Sequence, residues 1–145
     1  MNIVIRPAAK EDFPSVFNLF REFSLFQKTP EKLHITLQQL TADEEHFKCF
    51  VAVADGQIIG FATWFFAYYS WTGRAIYLDD LYVKDTHRKY GIGRQLLDTV
   101  IGHAKENNCR SVRWLVSRWN DNAIGFYQKM GAHIDDTEIT AVLPL

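Results

Sequence analysis

Two stretches of this chain bring together residue types that move protons and hold anions. Asp79 and Asp80 stand side by side in the otherwise apolar and aromatic run from Ile76 to Val83. Two carboxylates there would be costly if buried and unpaired, so they ask for a bound cation, a proton to relay, or a backbone, Arg or Lys partner. Regular strand alternation sends adjacent side chains to opposite faces, so without a bulge only one of the two faces a given cleft. Further on, Arg88-Lys89-Tyr90-Gly91-Ile92-Gly93 sets two glycines and a cation before an amphipathic helix, Arg94 to Asn107. Glycine lets the backbone approach an anion closely, the first-turn N–H groups point at it, and the macrodipole adds about half a positive charge. That describes a phosphate cradle; its plain alternative is a tight turn before a helix.

The loop's spacing excludes two common nucleotide sites. Gly91-Ile92-Gly93-Arg94-Gln95-Leu96 puts leucine where the third glycine of a dinucleotide fingerprint belongs, and no Gly-Lys-Ser/Thr closes a P-loop. Metal chemistry finds no ligand set: Cys49 and Cys109 lie far apart with no Cys or His at ligand spacing, and both read as reduced structural thiols. His34, His46, His87, His103 and His133 show neither ligand nor triad spacing. With 16 basic against 17 acidic residues and no run of like charge that forms a tail, nothing favours nucleic acid or an anionic membrane. The first residues, Met1 to Pro7, form neither a signal peptide's apolar region nor a transmembrane length, so a cytoplasmic location is expected.

The elements that must position these groups can be read from periodicity. The length fits one domain over 1–145. Ile3 to Arg6 predicts a short strand, and Phe13, Val16, Phe17, Phe20 and Phe23 predict a helix with Pro14 in its first turn. Thr29-Pro30-Glu31 predicts a second helix through about Leu40. Phe50 to Ala54 and Ile58 to Phe66 read as a hairpin turned by Asp55-Gly56. Tyr68 to Gly73 forms an aromatic turn, a candidate cleft wall, before the strand Ala75 to Val83. The glycine loop, its helix and a strand from Val112 to Val116 complete a βαβ unit. A helix from Asn122 to Met130 closed by Gly131, and a strand from Ile139 to Leu143, end the chain.

With Tyr77-Leu78-Asp79-Asp80-Leu81-Tyr82-Val83 before it and the block Trp119-Asn120 to Phe126-Tyr127 to Gly131-Ala132 after it, the R-x-x-G-x-G loop resembles the GNAT family of N-acetyltransferases. Within that family the chain is similar to the diamine, or spermidine/spermine, acetyltransferase-like branch. The resemblance implies an α/β fold with a mixed central sheet of about six to seven strands flanked by about four helices. It implies acetyl-coenzyme A as donor, a small-molecule amine as acceptor, no metal, and a homodimer.

Carried over residue by residue, it gives the backbone of Arg88, Tyr90, Gly91, Ile92, Gly93 and Arg94 to the pyrophosphate. Leu81, Tyr82 and Val83 go to the pantetheine arm, where two strands splay apart with the help of a bulge. Asn120 and Tyr127 go near the thioester, with Tyr127 as the acid that protonates the leaving thiolate. A backbone N–H near Leu81 or Tyr82 would stabilise the oxyanion. For Tyr127 the alternative is a helix tyrosine packed in a core.

Asp79 and Asp80 are assigned to binding the ammonium and relaying its proton, with Tyr69 and Trp71 as aromatic walls offering cation–π contact. Proton removal matters because an alkyl ammonium, with a pKa of about 10.4, is almost wholly charged at neutral pH. Polyamine-acetylating members of the branch recruit further acids from the first helix region and the turn before the acidic strand. Here those segments read Phe26-Gln27-Lys28 and Tyr68-Tyr69-Ser70-Trp71, without a carboxylate. A compact diamine, or a lysine-like amine such as thialysine, is therefore expected at least as much as a long polyamine. A protein or peptide N-acetyltransferase and a non-catalytic coenzyme A-binding sensor are the alternatives.

Overall fold

The computed structural model describes every residue from Met1 to Leu145. Its contacts fall into two compact units, Met1–Trp114 and Leu115–Leu145. The first is a five-stranded sheet in chain order, comprising β1 (Ile3–Pro7), β2 (Lys48–Ala54), β3 (Gln57–Tyr69), β4 (Gly73–Val83) and β5 (Ser111–Arg113). Neighbours pair antiparallel except β4 with β5, which run parallel. Asp55 and Gly56, both at positive φ, make the tight turn expected between β2 and β3.

Helix α1 (Phe13–Phe26) and the short α2 (Leu37–Ala42) cover one face of the sheet, and α3 (Ile92–Glu106) covers the other. The strand residues sort accordingly. Val51, Phe61 and Tyr82 close a core with Val16 and Leu19 of α1, while Phe50, Trp64 and Phe66 surround the His103 ring of α3. Leu96, Leu97, Val100 and Ala104 form the buried stripe of α3, which begins two residues earlier than its periodicity suggests. At the strand's close approach to β4, a Cβ on Gly60 would stand 3.0 Å from the Tyr82 carbonyl oxygen, so any side chain there would crowd the neighbouring backbone.

The predicted second helix is corrected. Pro30–Lys32 is a single 3-10 turn, Leu33 leaves it extended, and α2 starts only at Leu37, after its N-cap Thr36. Thr36 and Gln39 form a capping box, the stop-and-restart signal that the apolar spacing of Leu33, Leu37 and Leu40 hides.

The second unit, taken by itself, holds α4 (Asp121–Lys129). A Schellman ending closes it: Gly131 sits at φ 96°, the Ala132 N–H donates to the Tyr127 carbonyl at 3.1 Å and the Gly131 N–H to that of Gln128 at 3.0 Å. The expected strand Ile139 to Leu143 is absent; Ile139, Val142 and Leu143 are largely exposed in irregular chain. The predicted strand Val112 to Val116 becomes the shorter Ser111–Arg113, and without the last strand the sheet has five strands rather than six or seven, beside the four α-helices expected.

Candidate active site

The acidic pair is placed by a bulge. Register runs from Thr63↔Asp80 directly to Trp64↔Leu78, leaving Asp79 as the extra residue on β4. Its effect follows from parity. Phe61 and Phe65, four apart on β3, share a face; the Tyr82 ring lies against Phe61 and the Tyr77 ring stacks on Phe65. Tyr77 and Tyr82 are thus on one face although their positions differ by an odd number, which regular alternation forbids. The phase changes between them, at Asp79. Asp79 continues the face of Tyr77 and Asp80 that of Tyr82, so both carboxylates turn to the α1 side of the sheet. The sequence left open which of the two faces the cleft; the bulge turns both to the same face of the sheet.

Electrostatics agree with that geometry. Burial, and then the neighbouring Asp79, push the Asp80 carboxyl up to about 7. Asp79 stands partly in solvent, and desolvation raises its pKa as well. The phenol of Tyr77 is raised by burial first and then by the charges of Asp79, Tyr69 and Asp80. The one buried polar side chain at this point of β3, Thr63, accepts a hydrogen bond from the Asp80 N–H at 3.1 Å.

The opposite edge of β4 has no strand partner beyond Tyr77. Its ladder with β5 covers only Ala75, Ile76 and Tyr77. The Lys84 N–H donates to the Ile59 carbonyl at 2.9 Å, so the peptide groups of Tyr82 and Lys84 face β3. Those of Leu81 and Val83 therefore face away, along the edge that β5 has left. An extended chain of amides can pair there as an added strand does. This edge runs directly into the glycine loop.

In that loop Gly91 is the N-cap of α3 at φ 76°, ψ 14°, and no side chain caps the helix. The first intrahelical bond runs from the Gln95 N–H to the Gly91 carbonyl at 3.0 Å, so the N–H groups of Ile92, Gly93 and Arg94 lie in the first turn, where no intrahelical acceptor exists. Gly91 has no atom within 4 Å of a built Cβ, so its requirement is the left-handed backbone alone. The exposed Tyr90 flanks it.

Arg88 differs from the expected pyrophosphate contact. Its N–H is used by the Asp85 carbonyl, its Nε donates to the Val83 carbonyl at 2.9 Å, and its guanidinium pairs with Asp85. The same group lies over the rings of Phe26 and Tyr82, at 4.6 and 5.4 Å. Arg88 therefore fastens the loop's entrance to the end of β4 and of α1. Arg94 likewise spends its side chain on Asp98, at 3.0 Å, and leaves only its backbone to the first turn.

Tyr69 and Trp71 do not join the acidic pair within the chain. Their turn lies at the far end of the β3–β4 hairpin, about 20 Å along the strand from Asp79. Trp71 is 97% exposed, and Tyr69 carries the Arg113 guanidinium 3.6 Å from its ring centroid. Turn composition gives aromatic character, but strand length decides where it ends up.

Asn120 and Tyr127 belong to the second unit. The Asn120 side chain accepts from the Ala123 N–H at 3.2 Å and is the N-cap of α4, a structural role that its position before a helix could have signalled. Tyr127 is 8% exposed, and burial raises its phenol pKa, keeping it protonated at neutral pH. No group of three or more His, Cys, Asp or Glu side chains could hold a metal ion, and no helix is long and apolar enough to cross a membrane.

Comparison with known proteins agrees with this architecture. The profile of the acetyltransferase (GNAT) family matches residues 13–132. A thialysine N-epsilon-acetyltransferase of Sus scrofa is 32% identical over 143 residues, covering 90% of this chain and 84% of that protein. A spermidine/spermine N(1)-acetyltransferase-like protein 1 of Homo sapiens is 30% identical over 88% of this chain and 20% of its own length. The solved structure of an aminoglycoside N-acetyltransferase in complex with CoA superposes with a TM-score of 0.80 over 99% of this chain and 96% of that one, at 20% identity.

Proposed function

The chain belongs to the acetyltransferase (GNAT) family, and we propose that it transfers the acetyl group of acetyl-coenzyme A to a primary amine of a small molecule, a diamine or a lysine-like amine such as thialysine. One observation carries the choice of acceptor: the bulge at Asp79 turns two carboxylates to one face of the strand whose other edge suits the donor. The kinship with thialysine N-epsilon-acetyltransferases supports the same class.

The donor supplies an activated acetyl thioester; the chain's own groups do the rest. The outward Leu81 carbonyl and Val83 N–H pair with the pantetheine amides, and the Leu81 N–H is the backbone donor available to the thioester oxygen, since that of Tyr82 faces β3. The first-turn N–H groups of Ile92, Gly93 and Arg94 bind the pyrophosphate. Asp79 and Asp80 attract the ammonium, and Asp80, near half-ionised at neutral pH, accepts its proton directly or through water. Tyr127 is assigned the protonation of the leaving sulfur from its place in the family block and its protonated phenol. Catalysis in a homodimer in the cytoplasm belongs to the same proposal.

The test is a panel of acceptors with acetyl-coenzyme A, following release of free thiol. Thialysine, lysine or a short diamine should give turnover above spermine and above peptides. Faster acetylation of a peptide would support a protein acetyltransferase instead, and donor binding without release from any amine would support a coenzyme A sensor.

A further inference from the structure

We propose that Thr63 is a positioning residue for the acidic pair: its hydroxyl holds the Asp80 N–H in the bulge and so keeps Asp79 and Asp80 on the same face. The inference rests on the reading of those carboxylates as the amine site, and it reaches a residue outside the family's motifs.

The position itself asks for an explanation. Thr63 is 6% exposed between Ala62 and Trp64, both buried, in a strand whose interior is otherwise apolar. Valine would fill the same volume, so a hydroxyl there costs desolvation unless a partner uses it. The partner is the N–H of Asp80, at 3.1 Å, in the register pair on the edge of the bulge.

A bulge interrupts the ladder and leaves nearby peptide groups in need of acceptors. Thr63 shares its face with Phe61 and Phe65, so its Oγ1 rises on the very side to which both carboxylates turn. Gathering two like charges on one face works against the bulge, because regular alternation would part them. The Thr63 bond supports the phase that gathers them.

The experiment compares Thr63→Val, which removes the hydroxyl and keeps the branched shape, with Thr63→Ser, which keeps the hydroxyl. Two readouts are taken: amide hydrogen exchange at Asp80 by NMR, and kcat and KM for thialysine and for acetyl-coenzyme A. Thr63→Val should speed Asp80 exchange about tenfold, the size expected for loss of one buried hydrogen bond. It should also lower kcat/KM for thialysine about tenfold or more, with KM for acetyl-coenzyme A within about twofold. Thr63→Ser should restore both.

Unchanged Asp80 exchange in Thr63→Val, or a Thr63→Ser protein as impaired as Thr63→Val, would overturn the proposal. Asp80→Asn, measured alongside, separates the two readings: if it leaves acceptor kinetics unchanged, the amine site is elsewhere, while the exchange data still decide what Thr63 does.

Discussion

At the scale of single residues, the proposed chemistry turns on Asp80 and Tyr127. An Asp80 carboxyl at about 7 predicts that kcat/KM for the amine rises with pH through about 7 as the group ionises, and that Asp80→Asn loses this limb. Stability runs the other way. The folded pKa lies above the ordinary carboxylate value, so the folded state binds more protons between about pH 4 and 7, and its stability falls as pH rises through that window. Asp80→Asn should therefore melt a few degrees higher than the natural protein at pH 8 and no higher at pH 4, as read by calorimetry. For Tyr127, removal of the phenolic proton in Tyr127→Phe should lower kcat by about a hundredfold, with donor KM unchanged; an unaltered kcat would take Tyr127 out of the mechanism. The acidic pair itself was legible as two charges in an apolar strand. Which way they turn was not, because a one-residue bulge leaves no mark on the periodicity of β4 beyond a shift in phase.

Elements carry the site through their ends. The glycine loop was legible because Gly91 answers a backbone need, but the work of Arg88 was not. A cation beside a presumed anion site invites a direct contact, whereas here the guanidinium ties Val83, Asp85, Phe26 and Tyr82 together. Asn120 repeats the lesson: its side-chain oxygen ends on the Ala123 N–H. Asn120→Ala should cost about 1 kcal/mol of stability by loss of the cap, while Asn120→Asp, which keeps the acceptor and suits the helix N-terminus, should cost little. Denaturant titration measures both; a large loss of activity in a normally stable Asn120→Asp would restore a chemical role to this residue. At the β3–β4 crossing, Gly60→Ala would press a methyl on the Tyr82 carbonyl oxygen and should destabilise by about 1–3 kcal/mol.

For the molecule as a whole, the order of strands and helices through α3 was legible from periodicity, turns and caps. The end of the chain was not. Ile139 to Leu143 has strand-like residue types, yet a strand also needs a neighbour to pair with, and Ile139, Val142 and Leu143 stand exposed. The two cysteines show how burial grades reactivity across the fold. Cys49, in the β2 core, has its thiol pushed up to about 12 by burial, so a thiol reagent at pH 8 should modify Cys109 first and reach Cys49 only on unfolding. The central claim is that one bulge makes an amine site from two adjacent carboxylates, and the most direct test is steady-state kinetics of Asp79→Asn and Asp80→Asn side by side. Each should raise the acceptor KM about tenfold or more and leave the acetyl-coenzyme A KM unchanged. A silent Asp79→Asn, or an equal loss for donor and acceptor in either variant, would contradict it.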